Sequence, residues 1–190
     1  MPTQITYHAY LIAILYGCAE LALTIYRRAG QKTEDADQHS LGMIWGVISA
    51  AITISLLLGR RLDFADMTFF RLHHEIGIAV FFIGLALRAW SVIHLGRFFT
   101  VNVAIADDHH IVDNGPYRFV RHPSYTGVLL VYLGLGLCLA NWVALLVIMI
   151  PSTAIMLWRI AIEEKALHKA LGADYARYSQ RTHRLLPFIY

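Results

Sequence analysis

SYTGVLLVYLGLGLCLANWVALLVIMIPSTAIMLWRIAI, Ser124–Ile162, is two apolar runs separated by a single asparagine. A membrane-spanning helix needs about 20 mainly apolar residues, so this stretch is too long for one span. One long kinked helix is the alternative, but Gly134, Gly136 and Asn141 argue for a break. Two spans result, Ser124–Ala140 and Trp142–Ile162, folded as a tight antiparallel hairpin. Three earlier runs have the same character: Ile5–Tyr26, Leu41–Gly59 and Leu72–Leu95. The expected fold is all-α, one polytopic integral membrane domain over residues 1–190 with about five transmembrane helices.

Composition points the same way. Of the 190 residues 57% are hydrophobic and 15% charged, and the mean hydropathy is +0.52. Soluble domains carry about a quarter charged residues. The formal charge of +3 and the pI near 9.0 fit basic loops beside anionic headgroups. No block of Lys and Arg interleaved with aromatics marks a nucleic-acid groove. Cys18 and Cys138 lie in apolar runs without CxxC spacing and read as small buried side chains. The N-terminus lacks a basic n-region, and its apolar run is long for a signal-peptide core. We read it as a retained transmembrane helix.

Basic residues set the orientation. With five spans and the N-terminus outside, twelve Lys and Arg fall inside, three outside, and Arg88 within a span. The C-terminus and the loop before the hairpin are then cytoplasmic. In the second span GMIWG (Gly42, Gly46), extended by Ala50, puts small residues on one face and suggests a close helix contact.

Three polar features lie toward that cytoplasmic end. Arg88 sits about two turns inside the end of the third span, where an arginine snorkels, pairs or lines a polar cavity. In DDHHIVDNGPYRFVRHPSYTG, Asp107–Gly127, Asn114-Gly115-Pro116 forces a turn and Pro123 opens the fourth span. The free amides and positive dipole end of that helix suit a polar ligand near His122, Ser124 and Tyr125. The same loop also suits plain headgroup anchoring, which is how Arg118 and Arg121 read. Arg159 and Glu163 share one helical face, as a surface ion pair or as the two sides of a charged site. Neither HHE (His73–Glu75) nor DDHH (Asp107–His110) has metal-site spacing, so no metal is expected. GxSxG, P-loop and GxGxxG motifs are absent.

The series LG (Leu95, Gly96), HHIV (His109–Val112), GPY (Gly115–Tyr117), RHPSYTG (Arg121–Gly127), R…EE (Arg159, Glu163, Glu164) and the ending LGADYARYSQRTHRLLPFIY resembles the isoprenylcysteine carboxyl methyltransferase family in its small prokaryotic form. The match runs over about Arg88–Tyr190. It implies S-adenosylmethionine as methyl donor, held in a cytoplasm-facing pocket over residues 88–190, and a lipid-borne acceptor from the bilayer. The donor-binding positions implied are His109, His110, Ile111, Val112, Tyr117, His122, Pro123, Ser124, Tyr125 and Glu163. Asn102 stands where relatives often have Gln. Arg159 would orient the acceptor, with Arg88 as a second acceptor contact.

A carboxylate acceptor is already ionised at neutral pH, so alignment and exclusion of water are the main requirements. The family name implies the C-terminal carboxylate of a prenylated cysteine. Alternative acceptors are a phenolic or pyrone lipid, a phospholipid amine or a small thiol. A hydroxyl acceptor would want a base, for which His94, His109 and His122 are available. A nicotinamide-dependent sterol-type reductase shares the RHP-x-Y segment and the ending, but is usually longer. A non-enzymatic scaffold is the remaining alternative.

Overall fold

The computed structural model describes residues 11–14, 16–18, 20–23, 35–59, 62–67, 73–99 and 111–187. Five helices run through them: α1 (Leu11–Leu23), α2 (Asp35–Leu58), α3 (His73–Leu95), α4 (Pro123–Cys138) and α5 (Trp142–Arg181). Short 3₁₀ turns sit at Asp63–Ala65, Gly96–Phe98 and Gly115–Arg118. Extended pairing among the described residues is limited to two isolated bridges, Asp66 with Asn141 and Val120 with His183. The molecule is an all-α integral membrane protein. Its α3 and α5 are long and apolar enough to cross a bilayer, while the apolar parts of α1, α2 and α4 are shorter. Large apolar side chains face outward on several helices, among them Ile14, Leu57, Ile83, Ile93 and Ile150. Such an apolar exterior is stable in lipid and not in water.

The expected hairpin forms. The α4 helix ends at Cys138, Ala140 takes a left-handed φ of 54°, and α5 begins at Trp142. Asn141 makes the turn specific. Its Oδ1 accepts from Ala144 N at 2.9 Å, an N-cap. Its Nδ2 donates to Leu62 O at 2.9 Å, and Met67 N donates to Ala140 O at 2.8 Å. One buried side chain thus satisfies the start of α5 and ties the hairpin tip to the α2–α3 connection.

Two boundaries differ from expectation by more than two residues. The α2 helix starts at Asp35, ahead of Leu41, and α5 continues past Ile162 to Arg181. Hydropathy marks where the apolar stretch ends; a helix continues wherever its backbone bonds and packing persist. Past Ile162, α5 turns charged and bends at Gly172 (φ 51°, ψ −121°). Of the first expected span, Ile5–Tyr26, the stretch beyond Leu11–Leu23 lies outside the described residues.

The tightest packing joins α3 to α4. Gly77 and Gly84 are seven residues apart on α3, and Gly127 and Gly134 seven apart on α4, so each pair forms a stripe. A Cβ on Gly84 would lie 2.7 Å from Gly127 O, and one on Gly134 only 2.5 Å from Phe81 N. The two backbones are therefore in direct contact, as small residues allow between helices in lipid. Among the described residues the GMIWG contact does not form. A Cβ at Gly42 or Gly46 would meet nothing within 4 Å. Cys18 is exposed rather than buried, whereas Cys138 is buried beneath Gly77. An apolar run does not distinguish a lipid-facing position from an inward one.

The α1 helix leans on this pair through Tyr16, whose ring meets Phe81 of α3 and Tyr132 of α4 edge-on at 6.1 Å. The inner faces of α4 and α5 complete the core, with Val131, Ala144 and Ile148 fully buried.

Candidate active site

Pro123 at the first position of α4 fixes the helical φ without losing a hydrogen bond. His122 before it is neither helical nor extended (φ −123°, ψ 54°), and Tyr125 and Thr126 donate backbone N–H to His122 O at 3.0 and 3.1 Å. His122 and Tyr125 consequently stack, with ring centroids 5.6 Å apart and planes 20° off parallel. Opposite them stands α5. The Tyr125 hydroxyl donates to Glu163 Oε2 at 2.9 Å, and His122 Nδ1 lies 3.9 Å from the same oxygen. Arg159, one turn earlier on α5, is 2% exposed and lies against the Tyr125 hydroxyl. The side chain of Glu163 keeps 32% exposure. A partly open carboxylate thus sits beside a buried guanidinium, backed by an imidazole and a phenol.

The neighbouring Glu164 plays a different part. Arg121 Nε and Arg184 Nε donate to its two oxygens at 2.9 Å each. Arg121 also bonds the Ser179 carbonyl at 3.0 Å and the Thr182 carbonyl. Backbone bonds run alongside: Arg121 N to His183 O at 2.7 Å and His122 N to Arg184 O at 3.0 Å. Thr126 Oγ1 adds a bond to Leu185 O at 2.7 Å. The segment after α5 is in this way fastened to the loop before α4, with Glu164 as its ionic centre. Arg121 is therefore a structural tie and not a headgroup anchor, while Arg118 is exposed.

Burial pushes the Glu164 carboxyl up, but nearby His122 and the hydrogen bond and charge of Arg121 outweigh it and hold it at about 2. A folded-state value below the ordinary 4.5 contributes stability that is full above pH 4.5 and lost as pH falls toward 2. Thermal unfolding in detergent checks this. The gap in Tm between wild type and Glu164→Gln is expected to be wide at pH 7 and to narrow steadily below pH 4.5.

The turn before α4 is set by contacts with α3. Gly115 has φ +55°, and a Cβ there would lie 2.7 Å from the His94 ring, so glycine is required twice over. His94 Nε2 and Asn114 Oδ1 are 2.6 Å apart. Tyr117, 6% exposed, donates to Ser91 O at 3.3 Å and accepts at its own carbonyl from the Tyr178 hydroxyl at 2.7 Å. Burial, then the Glu163 carboxylate and Tyr178, push the Tyr117 hydroxyl well above the ordinary tyrosine range, so it remains a donor.

Arg88 pairs inside the membrane domain. Its Nε and NH2 donate to both oxygens of Glu20 on α1, at 2.9 and 2.8 Å, and its NH1 bonds the Ser124 hydroxyl. Ser124 and Pro123 are buried, and Ile111 and Val112 are half-buried ahead of the turn. The structure thus gathers Tyr117, His122, Ser124, Tyr125, Arg159 and Glu163 around the α4 N-terminus, with Arg88 behind Ser124. Asn102, His109 and His110 lie outside the described residues. No group of three or more His, Cys, Asp or Glu able to hold a metal occurs among the described residues.

Sequence reading missed Glu20, Glu164's ionic role and Arg184. Glu20 carried a readable signal, since a carboxylate within a spanning helix needs a cation. Arg184 carried none, because its partner lies 20 residues away across a helix end.

Residues 76–169 match the model of the isoprenylcysteine carboxyl methyltransferase family. Over that segment, just under half of its length, the chain is similar to that family. A relative from Oryza sativa subsp. indica, described as a probable protein-S-isoprenylcysteine O-methyltransferase, is 32% identical over 116 residues, 60% of this chain and 61% of the relative. Protein-S-isoprenylcysteine O-methyltransferase B of Arabidopsis thaliana is 28% identical over 151 residues, 75% of this chain and 77% of its own length. The chain therefore spans about three fifths of the rice relative it matches. The fold is similar to the solved eukaryotic intramembrane Ras methyltransferase of the same family, with TM-score 0.65 and 24% identity, over 99% of this chain and 68% of that one. Within the family match lie Arg88, the turn at Gly115, the α4 N-terminus and the Arg159–Glu164 face; Glu20 and Arg184 fall outside it.

Proposed function

We propose that this protein transfers a methyl group from S-adenosylmethionine to a lipid-like acceptor, foremost the C-terminal carboxylate of an isoprenylated cysteine. The observation that carries this reading is the half-open Glu163 carboxylate, held by Tyr125 beside buried Arg159 at the N-terminus of α4. The relatives bear the names of protein-S-isoprenylcysteine O-methyltransferases, which supports the same chemistry.

The residues suit the donor. A cationic amino group has a counter-charge in Glu163. The buried His122 ring, with Nε2 3.4 Å from Glu164 Oε1 and Nδ1 3.9 Å from Glu163 Oε2, sets an imidazole beside that counter-charge. Pro123 has no N–H, and Tyr125 and Thr126 give theirs to His122 O, so Ser124 N–H is the amide of the α4 start open to a ligand. His109, His110, Ile111 and Val112 would form the facing edge, and Asn102 and Tyr117 the remainder. When bound, S-adenosylmethionine supplies a methyl group made electrophilic by its sulfonium.

The chain's own residues then align and shield. Arg159 can take an acceptor carboxylate with a bidentate fork, pointing one oxygen toward the Glu163 side. The helix walls exclude water, which would otherwise solvate the carboxylate and blunt it. No proton needs to move for a carboxylate acceptor. The basic-residue distribution supports a cytoplasmic position for this face, with the N-terminus outside.

The test is transfer of labelled methyl from S-adenosylmethionine to a prenylcysteine, a phenolic lipid and phosphatidylethanolamine, using purified protein in lipid nanodiscs. Labelling of the prenylcysteine supports the full reading. Labelling of another lipid alone would keep the chemistry and replace the acceptor. Absence of any transfer together with saturable binding of NADPH would replace methyl transfer with reduction.

A further inference from the structure

One edge of the Arg88 guanidinium, its Nε and Nη2, is engaged by a carboxylate from outside the family-matched segment. Tyr16 wedges α1 against Phe81 and Tyr132. Glu20, four residues later and so on the same face, then meets the Arg88 fork through two parallel bonds of 2.9 and 2.8 Å. Both side chains are largely enclosed, at 12% and 15% exposure. The third guanidinium nitrogen bonds Ser124, one residue before the Tyr125 that holds Glu163. The pair lies on the membrane side of the proposed methyl-transfer site, where a lipid-borne acceptor would arrive. A carboxylate bound bidentate to an arginine has the shape and charge of an acceptor carboxylate in the same fork.

Resting on the methyl-transfer reading, we propose that Glu20 is a specificity-determining residue, an internal carboxylate occupying Arg88 that an anionic acceptor must displace. A neutral head meets no such competition and gains nothing from the fork. Glu20 therefore sets how strongly the protein prefers an anionic acceptor over a neutral one. Neutralising Glu20 leaves the Arg88 cation without its counter-charge in a low-dielectric region, and an incoming carboxylate becomes its best partner. Neutralising both removes the fork and the competitor together.

The experiment measures binding and so stands apart from turnover. Full-length protein in nanodiscs is titrated with a farnesylcysteine carboxylate and with its uncharged carboxamide, and the ratio of their affinities is compared across variants. Glu20→Gln is expected to shift that ratio toward the carboxylate by about tenfold or more. Glu20→Gln/Arg88→Gln is expected to shift it below the wild-type value. The double variant carries no unpaired charge, so it decides the matter if the single variant fails to fold. Equal loss for both ligands, an unchanged ratio in either folded variant, or no binding of either ligand to wild type overturns the proposal. Labelled methyl transfer by the wild type is scored separately. Its absence would sink the catalytic reading while the affinity ratio still tests Glu20.

Discussion

Glu163→Gln is expected to bind S-adenosylmethionine about ten- to a hundredfold more weakly than wild type while melting at nearly the same temperature. The substitution keeps shape and removes charge. A hydrogen bond to a charged group contributes roughly 1.5–3 kcal/mol, which corresponds to about that range in affinity. The side chain is 32% exposed and not part of the Arg121–Arg184 tie, so the fold loses little. Glu164→Gln, one residue on, is expected to do the reverse. It leaves two arginines facing a neutral amide and costs about 3 kcal/mol or more in stability, by the penalty for stranding a buried charge. Its effect on donor affinity would follow only from that loosening. Isothermal titration and thermal unfolding of both variants in the same detergent separate the two roles. Donor affinity untouched by Glu163→Gln would remove Glu163 from the donor site.

Gly134→Val is expected to abolish recovery of folded protein. Even a Cβ at this position would stand 2.5 Å from Phe81 N and 2.6 Å from Gly77 O. Both are backbone atoms of a helix, so no rotamer change relieves the clash. Overpacking a close-packed interior ordinarily costs about 1–3 kcal/mol; here α3 and α4 must separate along their length, at greater cost. Their separation would also displace Arg88, since Gly127 lies against its backbone. Gly46→Ala on α2 is the control. A Cβ there meets nothing within 4 Å, and alanine favours the helix by about 0.8–1 kcal/mol. The yield of monodisperse protein on size exclusion reads both. Recovery of Gly134→Val at wild-type yield would show that the α3–α4 contact is looser than the structure has it.

Much of this was legible in the sequence, and the reasons differ by element. Apolar runs located the helices because lipid demands them. Asn141 located the hairpin turn because its side chain can cap what its backbone breaks. Pro123 and the residues after it marked the candidate site because a proline can open a helix whose first N–H groups lack partners. The resemblance supplied Arg159 and Glu163 with roles, and the structure brings them to Tyr125. The glycine stripes were also readable, as pairs spaced seven apart, but GMIWG has the more familiar four-residue spacing and drew the reading instead. Spacing shows which residues share a face, not which face meets a neighbour. The Arg121–Glu164–Arg184 tie was not legible. It depends on the segment after α5 returning to Val120, and no local pattern encodes that return.

That return has a consequence for how the protein is made. The loop before α4 is completed by the carbonyls of Thr182, His183, Arg184 and Leu185, so two inserted helices and a bend at Gly172 separate one half of the site from the other. Synthesis runs from the N-terminus, and a ribosome that has finished α4 has produced His122 and Tyr125 without Glu163 opposite them. The nascent chain is thus a membrane-inserted protein well before it has a site. Closing a loop of some sixty residues is entropically slow compared with forming the helices themselves. On the methyl-transfer reading, competence to bind the donor should appear only after α5 has been inserted and the segment beyond it has returned.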